Sequence, residues 1–219
     1  KAEKVAKQIG AEPINNLLLL DIDVDLLILA VPDDVLSDIC AKLLGHKGLI
    51  VHVSGSTPLN VFDKRTDNFG VFYPLQTFSI VKEVSFTDIP ICVEADNKHN
   101  LLLLKGLANK ISRDVREIDS DQRLALHIAA VFSCNFVNYM NVMAEDLLQN
   151  KNIDFDILLP LIKETSKQLL KHSPKEMQTG PAKRNDIRVI EKHLTVLQSS
   201  TDKREIYKLL SDNIKNFFK

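Results

Sequence analysis

The 219-residue chain is long enough for one large domain or two small ones, with a sizeable buried core. Its 28 Lys and Arg against 29 Asp and Glu leave a net charge of -1, and it has no Trp, which excludes the basic, aromatic footprint of a nucleic-acid binder. Cys40, Cys92 and Cys134 are odd in number and far apart, so they make neither a disulfide framework nor a metal-ligand spacing, and a reduced, cytoplasmic setting fits them best.

Lys1 to Ile9 has the pattern of a short amphipathic helix, basic but without the apolar centre of a signal peptide. Leu26 to Val31 is a continuous apolar run ending at Pro32, the mark of a strand covered on both faces. Asp33 and Asp34 then open a helix toward Leu44 that stops near Gly45. Leu49 to Val53 reads as a second buried strand, Phe69 to Tyr73 as a third and Ile91 to Ala95 as a fourth. Asn97 to Ile111 is a helix and Asp114 to Ile118 a last strand. Such strand–helix alternation predicts a mainly parallel sheet. From Asp119 onward the periodicity is helical only, over Gln122–Asn150, Asp154–His172, Asp186–Gln198 and Asp202–Phe218. We therefore expect an α/β domain over residues 1–118 and an all-helical domain over 119–219, with a cleft between them as the ligand site.

Several segments carry candidate chemistry. Val31-Pro32-Asp33-Asp34 leaves a strand at its carboxyl end, where open α/β sheets bind ligands; alone it reads more readily as a plain strand-to-helix turn. His52-Val-Ser54-Gly55-Ser56 ends the next strand and offers hydroxyls, a glycine and backbone N–H groups, or simply a turn chosen for its conformation. It contains no G-x-S-x-G elbow, which argues against a serine hydrolase. Tyr73-Pro-Leu-Gln76-Thr-Phe78 follows the third strand, and Gln76 and Thr77 suit a polar ligand or their own loop.

Leu124 to Ala144 holds no charged residue. That length is enough for a membrane span, but His127, Ser133, Asn135, Asn138 and Asn141 argue against one. The pattern predicts a helix buried nearly all round. At about 100° per residue, His127, Cys134, Asn138 and Asn141 share a narrow stripe with Asn135 at its edge. Such a stripe must face a cleft, ordered water, a subunit interface or a satisfied internal network. Gly180-Pro-Ala-Lys-Arg184-Asn-Asp186 opens another helix, with Arg184 placed to meet an anion and His193 two turns on.

In this order, these segments resemble the Rossmann-like proteins that carry the domain of unknown function 2520. The matching pieces are Leu26–Asp34, His52–Ser56, Tyr73–Phe78, Leu126–Asn135 and Gly180–Asp186 with His193, which together span nearly the whole chain. That family resembles the 6-phosphogluconate-dehydrogenase-like reductases and, more distantly, pyrroline-5-carboxylate reductase and prephenate dehydrogenase. The resemblance implies a Rossmann-type parallel sheet, incomplete here, followed by a helical domain of the 6-phosphogluconate-dehydrogenase C-terminal type, which usually forms a homodimer. It also implies hydride transfer with NAD or NADP on a small-molecule substrate in an interdomain cleft. On that reading Val31, Pro32, Ser54, Gly55 and Ser56 lie at the cofactor, and His127 and Asn135 serve substrate binding or proton transfer. Gln76, Asn138 and Arg184 would meet the substrate, Arg184 by way of an anionic group. The competing class is a non-enzymatic module binding a nucleotide or a protein.

Two departures stand out. The seven glycines contain no G-x-G-x-x-G loop, the family's pyrophosphate cradle, as if the first βαβ unit were absent. Lys1–Gly10 resembles the helix that follows the family's second strand, and the expectation is weak NAD(P) binding by these 219 residues. The second departure is Tyr73, where family members often carry His.

Overall fold

The computed structural model describes residues 2–14, 16, 24–43, 45–62, 67–78 and 84–219. Lys1 and Leu44, at the ends of two expected helices, lie outside them. The elements are α1 (Ala2–Ile9), β1 (Leu26–Leu29), α2 (Asp33–Lys42), β2 (Leu49–His52), β3 (Phe69–Pro74), β4 (Ile91–Ala95), α3 (Lys98–Ala108) and β5 (Val115–Glu117). They are followed by α4 (Ser120–Ala130), a π-helical stretch over Val131–Phe136, α5 (Val137–Gln149), α6 (Leu159–Gln168), α7 (Pro174–Met177), α8 (Ile187–Val196) and α9 (Thr201–Phe217).

The five strands form one sheet in the order β1-β2-β3-β4-β5. β1 to β3 run parallel, β4 returns antiparallel to β3, and β5 pairs parallel with β4. The strand period of two sorts β2 between two cores. Leu49 and Val51 face a layer with Phe72, Ile91, Val93 and the α3 residues Leu104 and Ala108. Ile50 faces the other side with Leu29, Phe62 and the α2 residues Leu36 and Cys40. Helices thus cover both faces, and the sheet is of the Rossmann type.

Two expectations need correction. β1 is not covered on both faces: it lies at the edge of the described sheet, and Ile28 is 47% exposed. The uncharged helix is not buried all round either, for Leu124, Ile128, Val137 and Val142 are each at least 40% exposed. Absence of charge marks an apolar surface and does not say what covers it.

The chain divides into two compact units, residues 1–135 and 136–219. Strands end by residue 117, so the first unit contains the sheet together with α4 and nearly all of the π-helical stretch. The reason is local: Asp119 caps α4 in a capping box with Gln122, and the helix is then tied to β4 through Glu94. The second unit is entirely helical, and only Ala182, Leu197 and Ser211 are buried in it. Among the described residues no helix is long and apolar enough to cross a membrane.

Gly70, mid-sheet on β3, is fixed by space. A Cβ there would lie 2.7 Å from Leu104 Cδ1 and 2.8 Å from the Glu94 carbonyl oxygen. Gly70→Ala should therefore cost about 1–3 kcal/mol through overpacking, read as a lower urea midpoint at unchanged m-value.

Candidate active site

Because β1, β2 and β3 run the same way, their carboxyl ends meet at one edge of the sheet. There Val31 and Pro32 lead into α2, with Pro32 at its N-cap position. Beside them Ser54 builds a tight turn. Its hydroxyl accepts the Ser56 and Thr57 N–H groups at 3.1 and 2.9 Å and donates to Thr57 Oγ1 at 3.0 Å. The Ser54 hydroxyl thus spends its bonding capacity on holding the shape of the loop. Ser56 Oγ donates to the Asp33 carboxylate, joining the two turns.

The loop is clamped from α4. Arg123, 1% exposed, pairs with the Glu94 carboxylate and donates from Nη2 to the Thr57 carbonyl at 2.6 Å. Glu94 also accepts the Ser120 N–H at 3.1 Å, placing a carboxylate at the helix N-terminus, where the dipole favours it. The Leu59 N–H donates to Ser120 Oγ at 2.8 Å.

One turn beyond Arg123, His127 stands over Gly55. A Cβ on Gly55 would lie 2.7 Å from His127 Nδ1 and 2.9 Å from Tyr73 Cζ, so only glycine lets the loop lie this close. The Tyr73 hydroxyl is 3.2 Å from His127 Nδ1, and the two rings meet edge-on at 71°. Burial, then the neighbouring Cys92 and Asp33, push the Tyr73 phenol above its ordinary value, and Arg123 opposes them in part.

Tyr73 and His127 line a cavity of about 460 Å³, shared with Gln76, Thr77, Cys134 and Asn135. No charged side chain lines it among the described residues. Gln76 Oε1 accepts the Thr77 N–H at 2.8 Å, which turns its NH₂ group free for another acceptor. The π-helical stretch brings Ser133, Cys134 and Asn135 to this wall, and its i→i+5 bonding breaks the regular 100° progression.

The structure thus groups Gly55, Gln76, His127 and Asn135, with the Val31–Pro32 turn beside them on the same edge. Asn138 and Arg184 belong to the second unit. Asn138 is exposed on α5. Arg184 is exposed in the turn between Gly180 (φ +100°) and Asn185 (φ +55°). Its neighbour Lys183 lies over the Phe218 ring, and Asp186 caps α8. His193 bonds Tyr207 at 2.7 Å. Arg123 and Glu94 are the site residues that sequence reasoning passed over, and Tyr73 was noted there only as a departure from the family; a cation one turn ahead of His127, at the edge of the uncharged run that begins at Leu124, was the available signal.

Residues 89–214 match the family described as Domain of unknown function (DUF2520). The chain belongs to this family. Among solved structures it is similar to a candidate NADP oxidoreductase from Bacteroides fragilis, at 38% identity over 98% of this chain and 84% of that one, with TM-score 0.92. A Thermotoga maritima protein follows at 25% identity, over 96% of this chain and 86% of that one, TM-score 0.76. An imine reductase from Myxococcus stipitatus, in complex with NADP+, shares the fold at 12% identity and TM-score 0.66, over 100% of this chain and 81% of that one. No curated protein matches the chain. The DUF2520 chain has an oxidoreductase-like fold.

Its loop rests on an uncharged histidine. His52 is fully buried, stacks on Phe62, and accepts the Ser54 N–H through Nδ1 at 3.2 Å. Burial and then Arg123 lower its pKa from 6.5 to about 4, against Asp33 and the Pro58 carbonyl. Between those values the unfolded chain binds the proton that the folded one refuses, so stability falls as pH drops from 6.5 toward 4. By pH 5 the loss is about 2 kcal/mol. Denaturant titrations at pH 7.5 and 5 should show His52→Asn, which keeps an acceptor, losing about 2 kcal/mol less than the native protein.

Proposed function

We propose that this DUF2520 protein is an NAD(P)-dependent oxidoreductase that reduces a C=O or C=N bond of a small molecule, in a site at the carboxyl edge of its sheet. The observation that carries the reading is His127 seated over Gly55 at that edge, beside an uncharged cavity of about 460 Å³, a size suited to a small organic ligand. The similarity to a candidate NADP oxidoreductase adds to it.

A bound nicotinamide supplies the hydride. The residues present fit that end of the cofactor. Val31–Pro32 and the Ser54–Ser56 turn offer small, uncharged surface and backbone groups, while Asp33 and Asp34 in the first turn of α2 repel phosphate. The pyrophosphate has no Gly-rich cradle among these 219 residues. On the substrate side, His127 is the source of the proton that reaches the oxygen or nitrogen as the new C–H bond forms, and it is reprotonated from water. Asn135 and the free NH₂ of Gln76 orient the polar bond. Calorimetry with NADP+ and NADPH, and NADPH oxidation with 2-methyl-1-pyrroline as probe, test this together. His127→Gln should keep cofactor affinity and lower kcat by about 10²-fold or more. Affinity without turnover of any carbonyl or imine would return the protein to a binding module.

We also propose a homodimer formed through the helical unit. With only Ala182, Leu197 and Ser211 buried, that unit leaves Leu170 85%, Val196 68% and Ile157 65% exposed, a surface that a monomer in water keeps poorly. Light scattering should give twice the 24.7 kDa chain mass, and Leu170→Glu should shift it toward one.

A further inference from the structure

We propose that Tyr73 is the last carrier of the proton: His127 passes its Nδ1 proton to the Tyr73 oxygen while the Tyr73 hydroxyl proton goes to the substrate heteroatom. This rests on the oxidoreductase reading above and names the path within it.

The geometry selects the direction of transfer. His127 Nδ1 is 3.2 Å from the Tyr73 hydroxyl, so a proton on that nitrogen meets the phenol oxygen before it meets the cavity. Tyr73 itself lines the cavity, at the carboxyl end of β3, and shares it with Asn135. Both rings are fixed in place. Gly55 leaves no slack beneath them, and Arg123 anchors α4 one turn before His127. A tyrosine in such surroundings does not store charge: burial holds its phenol above the ordinary value, so a free phenolate is disfavoured. It can give a proton only while receiving one, and the imidazolium at Nδ1 is the group in reach. The balance is closed. The O–H bond of Tyr73 breaks as the heteroatom–H bond forms, the Nδ1–H bond of His127 breaks as a new Tyr73 O–H forms, and neutral imidazole regains its proton from water. The only electron pair transferred to carbon is the hydride that a bound reduced nicotinamide would supply.

The phenol and the imidazole come from different elements, Tyr73 from β3 and His127 from α4. The sequence separation of the pair is 54 residues.

The test uses the full chain and two kinds of readout. In the cofactor-free protein, His127 Nδ1 should show the 15N signature of a ring nitrogen hydrogen-bonded to the Tyr73 hydroxyl. Tyr73→Phe should remove that signature without unfolding the protein. Gly55→Ala, whose added Cβ drives the two rings apart, should remove it as well. In turnover with NADPH and 2-methyl-1-pyrroline, Tyr73→Phe should lower kcat by about 10²-fold with KM within about twofold, and Tyr73→Phe/His127→Gln should be no slower than the slower single variant, because the two act as one unit. An Nδ1 resonance unchanged in both variants, or a Tyr73→Phe enzyme with native kcat, overturns the relay. A native protein that shows the Nδ1 bond but oxidises no NADPH even at millimolar cofactor, above a weak affinity, overturns the oxidoreductase reading instead, and the relay falls with it.

Discussion

The buried ion pair between Arg123 and Glu94 is the constraint on which the site depends. It joins three elements that the chain order keeps apart: β4 through Glu94, the loop after β2 through the Thr57 carbonyl, and α4 through Arg123 itself. A guanidinium 1% exposed would be costly alone, and the carboxylate, the carbonyl and Ser120 Oγ repay that desolvation only if all stay in place. Removing one partner leaves a buried charge, which costs about 3–5 kcal/mol, far more than a surface pair contributes. The exposed pairs Arg113–Asp88 and Lys208–Asp212 are of that weaker kind. The clamp sets the height and rotation of α4, and His127 one turn later inherits both.

Below the clamp, burial and not charge controls ionisation. Desolvation is the leading cause at both His52 and Tyr73, and it drives each toward its neutral form. Arg123 pulls in the same direction as burial at His52 and against it at Tyr73, yet in neither case does it lead. Within the loop the hydrogen bonds are neutral and local, from Ser54 to His52 and from Ser56 and Thr57 to Ser54, while the charged partners, Arg123 and Asp33, reach it from other elements.

Much of this architecture was legible in the amino-acid order. Apolar runs ending in Pro32 and at Ser54 located the strand ends, because buried strands and turn residues each leave a local pattern. The five strands and their mainly parallel pairing follow from alternation with helices. What could not be read is long-range or depends on neighbours. Glu94 and Arg123 are 29 residues apart and look like ordinary surface charges until the fold brings them together. The π-helical stretch has no compositional mark, yet it alters which side chains of the uncharged helix share a face. Exposure of Ile28 and Ile128 depends on what lies beside them, and an apolar residue looks the same in sequence whether a neighbour covers it or not.

The two units are built on different principles, and this bears on how each can serve chemistry. The first has two continuous cores, clamped helices and a loop whose polar groups are satisfied, the rigid support that positions reacting groups to within fractions of an ångström. The second keeps its helices together with capping bonds such as Asp186 to Val189, a partly exposed ion pair between Lys203 and Asp146, and few buried side chains. Capping and partly exposed pairs contribute about 1 kcal/mol each or less, which cannot offset the entropy of ordering a helical unit of this size. Apolar area removed from water must do so, at about 25 cal/mol per Å². Little of that area is buried within the helical unit, whose helices share few internal contacts, while the Tyr73–His127 pair over Gly55 draws its rigidity from the sheet.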